Sequence, residues 1–215
     1  MHPDVFAQEL LMEKGLIIFV RNLEKGRVKS RLAKSIGDEQ ALKVYVHLLQ
    51  YTRDVAHSVN CNHFVFYSSY VHMSDVFDDN YFSKHIQQGD DLGERMLIAF
   101  KEVFALGCKK VCIIGSDCYE LTSEIIENAF IQLESQDVVI GPSTDGGYYL
   151  LGLKELHEAL FLEKEWGTST VLDDTIDAAE RLNISFKQLP LLNDIDTIED
   201  LLDTDILARL EEENS

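Results

Sequence analysis

The sequence predicts an α/β domain built around a mainly parallel sheet. Short apolar runs rich in β-branched residues alternate with longer segments in which apolar residues recur at helical spacing. The runs are nearly continuous, as in strands that are buried on both faces of a sheet. No internal repeat, low-complexity tract or flexible linker interrupts the 215 residues. We therefore expect one domain over residues 1–215, with residues 1–14 as an amphipathic, acidic N-terminal extension.

Each predicted strand is a short apolar run bounded by polar residues or glycine. The first run, Leu16–Val20, follows Gly15, and the third run, Val111–Gly115, ends in a glycine. The other runs combine valine, isoleucine, leucine and aromatic residues, which suit a buried, pleated surface. In chain order, the predicted strands cover residues 16–20, 63–67, 111–115, 137–141, 148–153 and 184–189.

The predicted helices lie between these strands. Residues 38–60 place apolar side chains three and four positions apart and contain neither glycine nor proline. Residues 90–106 repeat this pattern and precede Gly107, which is typical of the residue after a helix. Further helices are predicted over residues 123–133, 170–182 and 198–213. Residues 71–84 are aromatic and acidic, and we expect an irregular segment or a weak helix there.

The charge balance excludes several classes of partner. The chain carries 19 Lys+Arg against 38 Asp+Glu, a formal net charge of -19. Such a surface repels phosphate backbones and anionic lipids, so we expect neither nucleic-acid nor membrane binding. A small polyphosphate can still bind where cations converge or where a divalent metal bridges the charges.

Three further features favour a cytoplasmic protein. No segment reaches the roughly 18 consecutive apolar residues of a membrane span. The acidic N-terminus differs from the basic start of a signal peptide. The four cysteines form no C-x-x-C pair, and a chain of this length does not need disulfides to fold, so we expect reduced thiols.

A cationic loop directly follows the first predicted strand. It gathers five of the 19 cations into positions 21–31 and contains Gly26, which permits close backbone approach. Arg27, Lys29 and Arg31 alternate, so an extended backbone would present all three on one side. Point charges, forked guanidinium donors and free amides are what a diphosphate or triphosphate requires. A solvated basic turn is the alternative interpretation.

Carboxylates lie in later loops. Asp117 comes directly after the third predicted strand, and Asp194 and Asp196 precede the terminal helix. Hard oxygen ligands suit Mg²⁺ or Mn²⁺, with substrate phosphates completing the coordination. Asp145 is followed by two glycines, which permit close approach to a ligand. The alternatives are a turn-stabilising aspartate, a simple Asp-Gly hairpin and an acidic helix start.

Together, the basic and acidic loops predict metal-assisted chemistry on a nucleotide. Ligands of parallel sheets bind beyond the carboxyl ends of the strands, which is where these loops begin. Acidic metal ligands beside basic phosphate ligands are the usual parts for phosphoryl-type transfer.

Six motifs carry a family resemblance that extends over residues 16–202. In order they are K-G-R-V-K-S-R-L, Q-G-D-D-L-G-E-R-M, I-I-G-S-D-C, G-P-S-T-D-G-G-Y-Y-L-L-G-L, W-G-T-S-T-V-L and D-I-D-T-I-E-D-L. They resemble the bacterial group of glycosyltransferase-like, or radical-SAM/selenodomain-associated, transferases. This group is similar to the molybdenum-cofactor and phospholactate guanylyltransferases of the nucleotide-diphospho-sugar transferase (GT-A) superfamily. The resemblance implies a three-layer α/β/α sandwich with a mixed, mostly parallel sheet.

The resemblance also implies roles for the residues at matching positions. The nucleotide-binding residues would be Gly26, Arg27, Lys29, Arg31, Gln88, Gly89 and Arg95. The catalytic residues would be Arg27, Lys29, Arg31 and Asp117. The ligands of Mg²⁺ or Mn²⁺ would be Asp117, Asp194 and Asp196. The acceptor-binding residues would be Asp145, Gly146, Gly147, Tyr148 and Trp166, with residues 168–170 completing a flap.

Two functional hypotheses remain open. The first is a metal-dependent transferase that moves a nucleotidyl or glycosyl group from a nucleoside triphosphate or nucleotide sugar to a small acceptor. The second is a non-catalytic nucleotide-binding or partner-binding module on the same fold. Lys25 and Tyr119 motivate it, because the family usually has proline at both positions. The base, the sugar, the acceptor and the oligomeric state are left open.

Overall fold

The computed structural model describes residues 13–162 and 164–212, which form a seven-stranded sheet covered by helices. The strands are β1 (Lys14–Val20), β2 (Asn62–Tyr67), β3 (Phe82–Ile86), β4 (Lys110–Ile114), β5 (Val138–Pro142), β6 (Tyr148–Leu153) and β7 (Phe186–Gln188). They lie in the order β3-β2-β1-β4-β6-β5-β7. Every strand except β6 runs in the same direction, so the sheet is mixed and mostly parallel, as expected.

Helices cover both faces of this sheet. They are α1 (Ser30–Ile36), α2 (Asp38–His57), α3 (Leu92–Ala105), α4 (Ser123–Gln132), α5 (Val171–Arg181), α6 (Ile198–Leu202) and α7 (Ile206–Glu212), with a 3-10 turn at Glu158–Leu160. Helices α2 and α4 bury Tyr45 and Phe130 in the same core as Ile18 of β1. Helices α3 and α5 contribute to the opposite core, which contains Phe100 and Ile17. Successive residues of β1 therefore point to opposite buried faces, which confirms the three-layer α/β/α sandwich.

A third, smaller core brings the end of the chain to the first loop. Leu32 of α1 and Leu48 of α2 pack with Leu201 of α6 and Ile206 of α7. All four side chains are buried. As a result, the segment just before α6 lies against the loop between β1 and α1.

Two stretches of the chain differ from the sequence prediction. The prediction of an irregular segment at residues 71–84 is wrong for its last three residues, because residues 82–86 form β3. This strand lies at the sheet edge and contains Ser83, Lys84 and His85, so it lacks the apolar run of a central strand. The polar loop predicted after β1 contains helix α1, whose only buried residue is Leu32.

The predicted C-terminal helix over residues 198–213 is divided. Helix α6 ends at Leu202 and α7 begins at Ile206, with Thr204 donating a backbone N–H to the carbonyl of Leu201 between them. Residue 213 and residues 1–12 of the predicted N-terminal extension lie outside the described residues. Within the described ranges, no helix is both long and apolar enough to cross a membrane. The four cysteines are buried free thiols.

Candidate active site

Lys29 is the centre of the candidate site. Its side chain is only 3% exposed, and its Nζ lies 2.7 Å from Asp117 Oδ1 and 3.6 Å from Asp196 Oδ1. The same ammonium donates a hydrogen bond of 2.6 Å to the carbonyl of Ile195. One buried cation therefore joins the loop after β4 to the loop before α6.

The local backbone explains why Lys29 points inward. Lys29 is the N-cap of α1 and has a left-handed conformation, with φ at 49°. The chain turns sharply there, and Val28 beside it is buried. The extended backbone that would present Arg27, Lys29 and Arg31 together is therefore wrong. Arg27 is 79% exposed and pairs with Glu24 at 2.9 Å.

Arg31 completes the ion pairs from the first turn of α1. Its Nη1 lies 3.0 Å from Asp196 Oδ2. Asp196 is positioned by the capping box of α6, in which the Asp200 carboxylate accepts the N–H groups of Asp196 and Thr197. We refer to Lys29, Arg31, Asp117 and Asp196 as the charged side of the site.

Two cavities meet at the charged side. The larger, of about 670 Å³, lies beyond the carboxyl ends of β1, β2 and β4 and is lined in part by Arg27, Arg95 and Asp117. The smaller, of about 240 Å³, is lined in part by Lys29, Ser30 and Asp196. Arg21, Tyr45 and Asp117 line both cavities. A ligand-binding cleft in a parallel α/β sheet is expected at this edge.

Tyr45 and Asn22 brace the wall of the larger cavity. The Tyr45 hydroxyl accepts the N–H of Arg21 at 2.8 Å and lies 3.2 Å from both the Arg21 carbonyl and Ser116 Oγ. Burial, with the charge of Asp117 as a second cause, raises the pKa of Tyr45, so its phenol stays neutral. The buried Asn22 side chain accepts the N–H of Ser69 at 2.9 Å.

Tyr45, Asn22 and Ser69 were not predicted as residues of the site, and Arg21 was predicted only as one of the five cations of the first loop. Tyr45 lies within the apolar pattern of α2, so nothing in the sequence distinguishes it from an ordinary core residue. Asn22 and Ser69 meet only through the parallel pairing of β1 with β2.

Of the predicted nucleotide-binding residues Gln88, Gly89 and Arg95, only Arg95 lines either of the two cavities. Arg95 lines the larger cavity, and its Nε donates to the carbonyl of Gly89 at 3.0 Å. Gln88 is exposed and lines neither of the two cavities. Gln87 lines the larger cavity instead, because its backbone N–H extends the pairing of β3 with Tyr67. Its side-chain amide donates to two carbonyls of the neighbouring strands.

The predicted acceptor-side residues form a second region, away from the two cavities. We refer to the turn at residues 143–147 and the segment at 166–172 as the packed side. Gly146 has φ at +87°, and a Cβ there would lie 2.1 Å from the Ser169 carbonyl oxygen. The Gly146 carbonyl in turn accepts the N–H of Leu172 at 2.9 Å. The structure thus brings the predicted flap onto the Asp-Gly-Gly turn.

Aromatic contacts extend the packed side to helix α3. The Tyr148 and Trp166 rings meet edge to face with centroids 6.4 Å apart. A Cβ on Gly93 of α3 would lie 2.2 Å from Trp166 Nε1, so the glycine makes room for the indole. The Asp145 carboxylate accepts the N–H of Gly147 at 2.9 Å and stabilises the turn.

Asp194 joins the packed side to the charged side. Its Oδ2 accepts a hydrogen bond from Ser143 Oγ at 3.0 Å. Burial raises the pKa of Asp194 to about 6, and the negative charge of Asp117 adds to the shift. Asp145 acts in the same direction, whereas Lys29 and the Ser143 hydroxyl oppose it. Asp194 therefore keeps its proton to a higher pH than an ordinary aspartate.

The chemistry of these carboxylates suits a hard divalent cation. Within residues 13–162 and 164–212, no group of three or more His, Cys, Asp and Glu side chains forms a ready-made metal site. Mg²⁺ is commonly held by only one or two carboxylates, with substrate phosphates and water as its other ligands. Asp117 and Asp196, both 44% exposed, meet this requirement, and Asp194 adds negative charge beside Asp117.

The sheet order, the helical layers and the cleft define an α/β fold of the nucleotide-diphospho-sugar transferase type. Residues 51–168, more than half of the chain, match the family described as "uncharacterized protein conserved in bacteria (DUF2064)". The chain belongs to this family. Among curated proteins, none matches the chain significantly.

Several solved structures are similar to this fold. A proposed nucleotide-diphospho-sugar transferase from Desulfovibrio desulfuricans G20 has a TM-score of 0.83 and 30% identity, covering 94% of this chain and 89% of that chain. An inositol-1-phosphate CTP transferase from T. maritima has a TM-score of 0.54 and 11% identity, covering 94% and 97%. Rv0371C of Mycobacterium tuberculosis H37Rv, in complex with manganese, has a TM-score of 0.54 and 10% identity, covering 88% and 96%. The last two share the fold alone.

Proposed function

We propose that the chain is a cytoplasmic, divalent-metal-dependent transferase that moves a nucleotidyl or glycosyl group from a nucleotide donor to a small acceptor. The observation that carries the proposal is the convergence of Lys29 and Arg31 with Asp117 and Asp196 around the 240 Å³ cavity, which shares Asp117 with the 670 Å³ cleft. The similarity to a proposed nucleotide-diphospho-sugar transferase supports the class of reaction. The fold neighbours that are named for CTP transfer or contain manganese are consistent with it.

In this proposal the donor occupies the larger cavity with its phosphates toward Lys29 and Arg31. Asp117 and Asp196 would hold Mg²⁺ or Mn²⁺, which would neutralise phosphate charge when bound. In nucleotidyl transfer, an acceptor oxygen attacks the α-phosphorus, the bond to the β-phosphate oxygen breaks, and pyrophosphate leaves. In glycosyl transfer, the acceptor attacks the anomeric carbon, its C–O bond breaks, and a nucleoside diphosphate leaves.

The chain's own residues contribute by positioning and by charge. The buried Lys29 ammonium is held by one carbonyl and two carboxylates, so little reorganisation is needed when charge develops on a nearby phosphate. The fixed loops after β1 and β4 set the position of the donor against the acceptor. No side chain is required as a covalent nucleophile in either reaction.

A non-catalytic nucleotide-binding module remains the second candidate. One observation favours it: Lys29 and Arg31 form ion pairs with Asp117 and Asp196, the same carboxylates that would hold a metal ion. In a module of this kind, nucleotide binding would be independent of metal.

Calorimetric titration tests the proposal. The wild-type protein is titrated with each ribonucleoside triphosphate and with nucleotide sugars, with and without Mn²⁺. We expect metal-dependent binding that weakens at least about 100-fold in Asp117→Asn, since the variant loses a ligand charge. Asp173→Asn, which alters an exposed aspartate on α5, is the matched control and should bind like the wild type.

Product analysis separates the reactions. Release of pyrophosphate identifies nucleotidyl transfer, and release of a nucleoside diphosphate from a nucleotide sugar identifies glycosyl transfer. Metal-independent binding without turnover of any donor would support the module. No binding of any nucleotide would overturn both candidates.

A further inference from the structure

The cations around the cleft differ in whether a protein carboxylate already neutralises them. Lys29 pairs with Asp117 at 2.7 Å, and Arg31 pairs with Asp196 at 3.0 Å. Arg27 pairs with Glu24 at 2.9 Å. In the part of the chain that the structure describes, the Arg21 side chain has no carboxylate within ion-pair distance.

The position of Arg21 also distinguishes it from the other cations of the first loop. Arg21 lines both the 670 Å³ cleft and the 240 Å³ cavity, and among the cations of the first loop it alone does so. Its backbone is fixed on both sides by Tyr45, whose hydroxyl contacts the Arg21 N–H at 2.8 Å and the Arg21 carbonyl at 3.2 Å. The Arg21 side chain is therefore attached to a backbone that Tyr45 holds in place between the two cavities.

We propose that Arg21 is the principal phosphate-binding residue of the site. A phosphate chain that runs from the cleft toward Lys29 passes the point where the cavities meet. A guanidinium there that pairs with no carboxylate of the described residues can bind phosphate oxygens through its forked donors, without first giving up such a partner. Lys29 and Arg31 would then chiefly hold Asp117 and Asp196 in place. This inference rests on the proposed function, because it presumes a phosphate-containing ligand in the cleft.

The test compares Arg21→Gln with the wild type by calorimetric titration in the presence of Mg²⁺. The probes are inorganic tripolyphosphate, the four ribonucleoside triphosphates and the corresponding monophosphates. We expect Arg21→Gln to weaken binding of tripolyphosphate and of the bound triphosphate at least about tenfold, and of the monophosphate less than about threefold. Arg21→Lys should recover part of the loss, because it keeps the charge but not the fork.

Two further variants make the comparison specific. Lys25→Gln removes the same charge four residues away, from an exposed side chain that lies 3.7 Å from Glu39 and lines neither cavity, and should bind like the wild type. Arg27→Gln should lose less affinity than Arg21→Gln, because the Arg27 guanidinium is already paired. The melting temperature of Arg21→Gln should match the wild type, since its backbone contacts do not involve the side chain.

The possible failures are distinguishable. If the wild type binds tripolyphosphate or a triphosphate and Arg21→Gln binds it equally well, the role of Arg21 is overturned and the proposed function stands. A loss in Arg27→Gln that exceeds the loss in Arg21→Gln overturns it too. If the wild type binds none of the probes, the proposed function fails and this inference fails with it.

Discussion

The loop that carries Lys29 meets the loop that carries Asp196 through charged side chains, whereas the turn at residues 143–147 meets the segment at 166–172 through its backbone. On the charged side, nitrogen and carboxylate oxygen atoms are 2.7–3.6 Å apart and two carboxylates are partly exposed. On the packed side, a glycine fits against the Ser169 backbone where a Cβ would not. Changes of charge should therefore act mainly on the first region, and changes of volume mainly on the second.

The largest effect is expected from Gly146→Ala on the packed side. The new Cβ would lie 2.1 Å from the Ser169 carbonyl oxygen, and the backbone has φ at +87°, where alanine is strained. Strain and overpacking together should lower the free energy of unfolding by about 4 kcal/mol. Thermal denaturation should show a melting temperature lower by about 8–16 °C.

Gly167→Ala is the control for this prediction. Gly167 lies in the same segment with φ at +83°, but a Cβ there would meet no atom within 4 Å. Only the backbone strain remains, so we expect a loss of about 1 kcal/mol. Equal losses in the two variants would show that close packing against Ser169 contributes nothing to stability. The claim that changes of volume act mainly on the packed side would then be wrong.

The next effect is expected from Lys29→Met on the charged side. The substitution keeps the volume and removes the cation that joins Asp117 to Asp196. Breaking a fully buried pair costs about 3–5 kcal/mol, and the partial exposure of both carboxylates reduces the expected loss to about 2–3 kcal/mol. Denaturant unfolding measures it directly.

Lys25→Met is the matched control for Lys29→Met. Its exposed side chain lies 3.7 Å from Glu39, and such surface pairs contribute less than about 1 kcal/mol. A loss in Lys29→Met that is no larger than the loss in Lys25→Met would mean that the ion pairs of Lys29 contribute nothing to stability.

The central part of the fold was predictable because its strands are buried on both faces. The runs at 16–20 and 111–115 become β1 and β4, which pair in the middle of the sheet. The edge strand β3 was not predicted because polar residues occupy most of its five positions. Helix α1 was not predicted for a related reason, since Leu32 is its only buried residue.

The site was predictable as a set of loops and not as a set of contacts. Parallel strands bring the ends of β1 and β4 to one edge, so a meeting of the first loop with Asp117 follows from the fold class. The left-handed backbone at Lys29 does not follow from it, because such a conformation is uncommon outside glycine. That single residue turns an expected row of three cations into one buried lysine and two exposed arginines.

Asp194 lies between the two regions, and its contribution to the free energy of unfolding should depend on pH. Burial and the charge of Asp117 raise the pKa of Asp194 to about 6 in the folded protein, above its ordinary value of 3.8. The folded state therefore retains the proton that the unfolded chain releases, and stability falls as pH rises from about 4 to about 6. We expect this group to reduce the free energy of unfolding by about 3 kcal/mol at pH 8.

Asp194→Asn isolates this contribution. The variant keeps an oxygen that can accept the Ser143 hydroxyl, but it carries no charge at any pH. Denaturant unfolding at pH 8 should show the variant more stable than the wild type, and the difference should vanish near pH 4. A variant that is less stable than the wild type at pH 8 would mean that a cation already compensates Asp194.

The smallest effect on stability is expected at Tyr119, which lies in the loop that carries Asp117. Its hydroxyl donates to Asp205 Oδ1 at 3.1 Å, and its ring packs 4.5 Å from the ring of Tyr51. In Tyr119→Phe the ring remains and Asp205 keeps its bond to Arg209 at 2.8 Å, so the free energy of unfolding should fall by only about 0.5–1 kcal/mol.

Tyr119→Leu tests how the Asp117 loop is anchored. The resemblance leads one to expect a proline at this position, and Tyr119 occupies it instead. The ring joins the loop to α2 and the third core, so its removal should cost about 2 kcal/mol, clearly more than loss of the hydroxyl. Nucleotide affinity in Tyr119→Phe should stay within about twofold of the wild type, because Tyr119 lines neither cavity. Equal destabilisation by the two variants would show that the hydrogen bond to Asp205, and not the packing of the ring, anchors the Asp117 loop.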